Sequence, residues 1–294
     1  MAGLYYVIFV LVALVASVVF SVTGISGQEG ATFATRAVSV IMLHLVFIVA
    51  VVVICRLKNK QLFSSFDLHK KMQGRDVLPL LVLSVVCILA FILLHNTVIY
   101  LFGLMGYSGR DLDDTIPNFG VFVLLVFAMA VLPAVSEELI FRGLIFKSLL
   151  PYGKWLAVVV SATLFSLYHM NPVQTVYQFL LGIVFALVYL RTGNMRYPML
   201  LHFFNNFLIL AYTYITQGFG EGSEIIMSSM MVIGTIVMAV GGALLIWKFL
   251  PLFVEGEKKE IAGRKAIDMV TVTGVIFALL VGIGLWIAVF SGGL

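Results

Sequence analysis

Residues Phe119–Leu150 read FGVFVLLVFAMAVLPAVSEELIFRGLIFKSLL. An apolar run, Val121 to Leu132, leads through Pro133 into two adjacent carboxylates, Glu137 and Glu138. Leu139-Ile140-Phe141 and then Arg142 follow. The stretch exceeds the ~20 residues with which a helix crosses a bilayer. An acid at that depth is costly unless it is paired or solvated, so it marks a functional site by default. The chain holds 14 Asp and Glu residues, and all the others fall in polar connecting segments.

The surrounding sequence is of the same kind. Of 294 residues, 62% are hydrophobic and 11% charged, and the mean hydropathy is +1.13. A soluble chain of this length could not cover that much apolar surface. About nine apolar runs approach the length of a bilayer span. They are Leu4–Thr23, Ala37–Cys55, Val77–Phe102, Phe119–Leu150, Trp155–Met170, Gln174–Leu190, Met199–Thr216, Ile225–Lys248 and Ile267–Phe290. The expected fold is all-α: one polytopic membrane bundle over residues 1–294, with eight to nine transmembrane helices. A polar intramembrane catalytic cavity is expected within residues 119–216. Nothing basic precedes the first run and no A-x-A site follows it, so it reads as a retained span and not a cleaved signal.

Charge sets the expected orientation. Of the 18 Lys and Arg residues, Arg56, Lys58, Lys60, Lys70, Lys71 and Arg75 lie between the second and third runs. Lys147 and Lys154 flank the turn after the fourth, and Arg191 and Arg196 lie between the sixth and seventh. Lys248, Lys258, Lys259, Arg264 and Lys265 lie between the last two. The alternate loops hold only Arg36 and Arg110 and carry the acids instead. Basic loops stay cytoplasmic, which puts the N-terminus inside. The short loops suggest a prokaryotic plasma membrane. The pI of about 9.0 suggests contact with anionic headgroups of the lipid bilayer. No basic run is interleaved with surface aromatics, so nucleic acid is not an expected partner. Cys55 and Cys87 make neither metal nor disulfide spacing.

Three polar groups recur at helical spacing. Glu138 and Arg142 are four residues apart on one face and can pair. Glu137 is turned about 100° away and has no in-helix partner. Phe165 and His169 form the second group, and His202 and Asn206 the third; Asn205 is turned away from that face. His44 and His95 have no polar companions in register and read as packing residues. Pro133 withdraws an N–H and frees a carbonyl one turn earlier. Glu137 and His169 are equidistant from Gly153, at roughly 24 Å along antiparallel helices. A carboxylate facing an imidazole can hold and deprotonate water. His202, only ~10 Å from the turn at Gly193–Met195, looks too shallow to join them. They can meet only if the preceding hairpin projects or the helices tilt.

In order and spacing, these motifs resemble the CAAX prenyl protease 2 and bacteriocin-processing (CPBP, or Abi) family. That family is marked by E-E-x-x-x-R, F-x-x-x-H and H-x-x-x-N on membrane helices. The resemblance implies an intramembrane endopeptidase acting on a membrane-associated peptide or protein, prenylated or bacteriocin-like. It also implies roles: Glu137 and His169 activate water, His202 and Asn206 stabilise the oxyanion, and Glu138 with Arg142 forms a structural ion pair. Catalytic zinc takes three protein ligands. Glu137, His169 and His202 could supply them, though the residue types suit a metal-free, glutamate-activated water better. Two other readings stay open: a non-catalytic immunity or scaffold protein, and a proton-coupled transporter. No internal repeat favours the transporter.

Overall fold

The computed structural model describes residues 33–57, 65–107, 116–218 and 269–291, with scattered helical positions between 222 and 240. These residues are helical, with no strand among them. The helices are α1 (Phe33–Leu57), α2 (Val77–Leu104), α3 (Phe119–Tyr152), α4 (Lys154–Tyr168), α5 (Thr175–Thr192), α6 (Arg196–Thr216) and α7 (Met269–Ser291). Among the described residues, five helices are long and apolar enough to cross a membrane: Val40–Leu57, Gly74–Leu104, α3, α5 and α6. The expected count of eight to nine is not confirmed among the described residues. Leu4–Thr23 and much of Ile225–Lys248 lie outside the described residues. The run Trp155–Met170 yields α4, whose 15 residues fall short of a full span.

Sequence punctuation sets the helix ends. Asn118 caps α3, its Oδ1 accepting from the Val121 N–H at 3.0 Å. Gly193 ends α5 at φ 56°, where only glycine is unstrained, and its N–H reaches Tyr189 O at 2.8 Å. α3 is not uniform: Phe127–Val131 and Leu139–Phe146 are π-helical turns on either side of Leu132–Glu138. Such turns cluster at functional sites.

α3, α4, α5 and α6 enclose the polar groups, with α1 and α2 against α3 and α6. α7 lies on α4: a Cβ at Gly282 would come within 3.0 Å of Leu167. Trp286 Nε1 donates to Thr175 Oγ1 at 2.6 Å.

The connection from α1 to α2 is stitched to the other turns at its end of the bundle. Phe66 is buried against Gly143, where a Cβ would lie 2.3 Å from the Phe66 ring. Asp67 accepts from Lys147 and Tyr189, each at 2.6 Å, and Lys70 is 3.3 Å away. Lys70 donates to Gly193 O, Arg196 Nε to Leu68 O and Asn194 Nδ2 to Lys70 O. At the opposite end, Ile116 and Gln217 exchange two hydrogen bonds of 2.8 and 2.7 Å.

This stitching removes the depth mismatch expected for His202. Asp67 joins Lys147 to Lys70, and Lys70 joins Gly193, which ties Lys147 and Gly193 to the same end of the bundle. Glu138 lies nine residues before Lys147, and His202 nine residues after Gly193. The hydrogen bond between Glu138 and His202 shows that the two residues meet.

Burial by itself raises the Asp67 carboxyl. Hydrogen bonds from Lys147 and Tyr189, the Lys147 charge and a bond from Lys70 outweigh it and hold the group at about 2, below its ordinary 3.8. A depressed carboxyl stabilises the fold above its unfolded pKa, and that contribution is lost as pH falls through the folded one. Asp67→Asn should therefore lower the melting temperature in detergent at neutral pH. The gap to wild type should close as pH drops from about 4 toward 2. A thermal-shift series across that window checks this, and a pH-independent gap would remove the anchoring role of the anion.

Candidate active site

The site is built around Arg142, buried at 0% exposure together with Glu138. Its Nη1 donates to Glu138 Oε1 at 2.9 Å and its Nη2 to Gly182 O, also at 2.9 Å. Its carbon centre lies 4.6 Å from the Phe165 ring centroid and 5.0 Å from that of Phe185. A guanidinium is planar and stacks on aromatic faces while its edge donates. Here it meets acceptors on α3 and α5 and rings on α4 and α5. Gly182 lets α5 come close enough: a Cβ there would meet Ala162 Cα at 3.0 Å.

Glu138 Oε1 also accepts from His202 Nδ1 at 2.9 Å. Both donors share that one oxygen; Glu138 Oε2 and Arg142 Nε have no hydrogen-bond partner among the described residues. With the proton on Nδ1, His202 keeps a bare Nε2. That atom lies 3.9 Å from Glu137 Oε2. The His202 ring stacks on Phe185 at 4.8 Å, which fixes its plane.

Glu137 is 4% exposed, and its Oε2 has no hydrogen-bond partner among the described residues. The equal-depth pairing with His169 produces no hydrogen bond between them. His169, at the end of α4, instead donates Nδ1–H to Phe165 O at 2.8 Å, because a carbonyl can only accept. This leaves Nε2 of His169 bare as well. The ring is held by Phe165 at 4.8 Å and Tyr168 at 5.5 Å.

Asn206 Nδ2 donates to Met129 O at 3.0 Å. Met129 is four residues before Pro133, so this is the carbonyl to which Pro133 has no N–H to give. Asn205 is not turned away from the site, as its spacing suggested. It is buried, accepts from Tyr177 on α5 and donates to Asn206 Oδ1 at 3.3 Å. The chain orients the Asn206 amide and leaves its second N–H uncommitted. Tyr177 and Asn205 were not found from periodicity; the signal was a second asparagine inside an apolar helix. His44 is likewise more than a packing residue: its Nδ1 lies 2.8 Å from Ser136 Oγ, next to Glu137.

Among the described residues, no three His, Cys, Asp or Glu side chains are grouped so as to hold a metal ion. The set of Glu137, His169 and His202 that zinc would need does not form such a group. The chemistry proposed below is written for the side chains alone.

The fold and site define an all-helical membrane protein with a carboxylate, two histidines and an amide enclosed between helices. Residues 119–208 match the family described as type II CAAX prenyl endopeptidase Rce1-like. This match, over less than a third of the chain, supports the CPBP assignment made on the three motifs, and the matched family is one of proteases. No curated protein and no solved structure matches the chain.

The ion pair gives the site its first test. Glu138→Gln and Arg142→Gln each leave a buried partner unpaired, a loss of about 3–5 kcal/mol. Both should lower the melting temperature. The double variant should lose less than the sum of the two, since contacting residues couple. Strict additivity in thermal unfolding would show that the two charges do not depend on each other.

Proposed function

We propose that this protein is an intramembrane endopeptidase of the CAAX-protease type. It hydrolyses a peptide bond in a membrane-associated substrate, at a prokaryotic plasma membrane and with its basic loops cytoplasmic. The observation that carries the reading is Glu137: an enclosed carboxylate with an unpartnered oxygen, facing the bare Nε2 of His202, inside the matched segment.

Water is held by Glu137 and by the lone pair on His169 Nε2. Glu137 takes a proton as the water oxygen attacks the scissile carbonyl, forming the C–O bond and placing charge on the carbonyl oxygen. His202 cannot donate to that oxyanion while Nε2 is bare. It receives the proton from Glu137 once their 3.9 Å separation closes to hydrogen-bond distance in the substrate complex. The imidazolium that forms is supported by Glu138 behind it, as a carboxylate supports histidine in acyl transfer. His202 and the uncommitted Asn206 N–H then stabilise the oxyanion. Collapse breaks the C–N bond, and the leaving amine takes the proton from His202. Glu138 with Arg142 keeps the helices in register.

A quenched fluorescent, farnesylated peptide ending in a CAAX sequence is the first substrate to try. Comparison of membrane proteomes carrying wild type or Glu137→Gln covers substrates that are not prenylated. Glu137→Gln should remain folded in detergent and lose roughly 10²–10⁴-fold in turnover. Normal turnover in the variant would remove Glu137 from the mechanism.

The same preparations test the metal question. Exhaustive chelation should leave activity intact, and wild type should carry zinc well below one ion per chain. His202→Ala and Asn206→Ala should each cost about 10²–10³-fold in rate, as loss of an oxyanion donor does, with metal content unchanged. Near-stoichiometric zinc, stripped in both His169→Ala and His202→Ala, would overturn the metal-free route and leave the peptidase reading standing.

A further inference from the structure

α1 lies outside the matched segment, yet it brings a polar side chain to the site. His44 is 3% exposed, and its Nδ1 meets Ser136 Oγ at 2.8 Å. Ser136 is fully buried and immediately precedes Glu137. Its one hydroxyl proton goes to Leu132 O at 2.9 Å. The hydroxyl can therefore only accept from His44, and the histidine proton sits on Nδ1.

The bond falls where α3 is least self-supporting. Pro133 has removed a rung of the helix, and π-helical turns end at Val131 and begin at Leu139. A serine that bonds its own i−4 carbonyl competes with the helix ladder and bends it. His44 holds that hydroxyl from a neighbouring helix. One turn along α1, Phe47 lies 6.1 Å from His44 and 5.6 Å from Tyr168, edge and tilted, and Tyr168 adjoins His169. The same face of α1 thus touches the turn carrying Glu137 and the end of α4 carrying His169. Packing alone does not call for a buried His–Ser pair, because apolar groups of the same shape would serve as well.

We propose that His44 is a positioning residue for Glu137. By donating to Ser136 it fixes the rotation of the Leu132–Glu138 turn, and with it the direction in which the Glu137 carboxylate faces. This rests on the reading of Glu137 as the water-activating base.

Four full-length variants in detergent test it: His44→Leu, Ser136→Ala, the double variant, and His44→Asn, whose amide can place an N–H near the position of Nδ1–H. Two readouts are used. One is kcat and KM on the farnesylated CAAX reporter peptide. The other, independent of any substrate, is the rate at which dicyclohexylcarbodiimide modifies Glu137, followed by mass spectrometry. His44→Leu and Ser136→Ala should each lower kcat roughly 10–100-fold, the range seen when an orienting partner is removed, with KM unchanged. The double variant should be no worse than the poorer single one, and His44→Asn should recover most of the loss. The labelling rate of Glu137 should change severalfold in both single variants and return toward wild type in His44→Asn. An unchanged labelling rate in folded His44→Leu overturns the proposal, and so do additive losses in the double variant. Failure of wild type to cleave the reporter would count against a prenylated substrate and leave the labelling result to decide the role of His44.

Discussion

A cation buried in a membrane bundle must have its charge met inside the protein, and Arg142 imposes that demand on four helices at once. Its charge is matched by Glu138 on its own helix, and one edge donates to Gly182 O on α5. Its faces lie against Phe165 of α4 and Phe185 of α5. Because Glu138 also accepts from His202, α6 is bound into the same unit. A lysine would satisfy the charge but neither the stacked faces nor the forked donation. The close α4–α5 contact at Gly182 serves this demand, since a Cβ there would meet Ala162 Cα at 3.0 Å.

The second constraint is backbone satisfaction. Within a bilayer, a carbonyl without a partner is expensive, so a broken helix survives only where other groups supply the bond. Pro133 withdraws one N–H from α3, and Asn206 on α6 answers the Met129 carbonyl. Ser136 bonds back to Leu132, and His44 on α1 secures the serine. The segment that presents Glu137 is thus supported from two other helices, whereas the Glu138 face is supported by the ion pair. A tightly wound helix would need neither helper. The irregular one has its freed backbone and hydroxyl groups met by α1 and α6.

Much of this can be read from spacing, because spacing within one helix is geometry. Glu138 and Arg142 share a face by virtue of being four apart, and the 2.9 Å pair follows. Pro133 points to an orphaned carbonyl, but only tertiary structure supplies Asn206 as its partner. Contacts between helices are the less legible part. Equal counting from Gly153 sets Glu137 opposite His169, yet it is His202 that meets the acids, hydrogen-bonded to Glu138 and 3.9 Å from Glu137. The missing information is the level of each turn along the bundle axis. That level is set by Asp67, a loop residue of no periodic pattern, through Lys147, Lys70 and Gly193. His44 and Tyr177 escape for a related reason. Each stands alone on its helix, and a periodic search finds groups, not single polar residues whose partners lie elsewhere. The number of spans is least legible where apolar runs are short: the run at Trp155–Met170 forms a helix of 15 residues ending at the site rather than a full crossing.

Two adjacent acids in a dry place need a physical reason, and the surroundings of each supply one. A single carboxylate could not both neutralise Arg142 and remain open to take a proton from water, because each donor it accepts lowers its basicity. Glu138 accepts from Arg142 and His202 on one oxygen, and that fixes the histidine tautomer. Fixing the tautomer is what leaves Nε2 of His202 bare and facing Glu137. The guanidinium therefore acts on the reacting region at one remove: it holds the acid that orients the imidazole that meets the second acid. The helical turn of 100° between neighbouring residues is what permits this division. It sets Glu138 against the α4–α5 wall and Glu137 toward the bare ring nitrogen of His202.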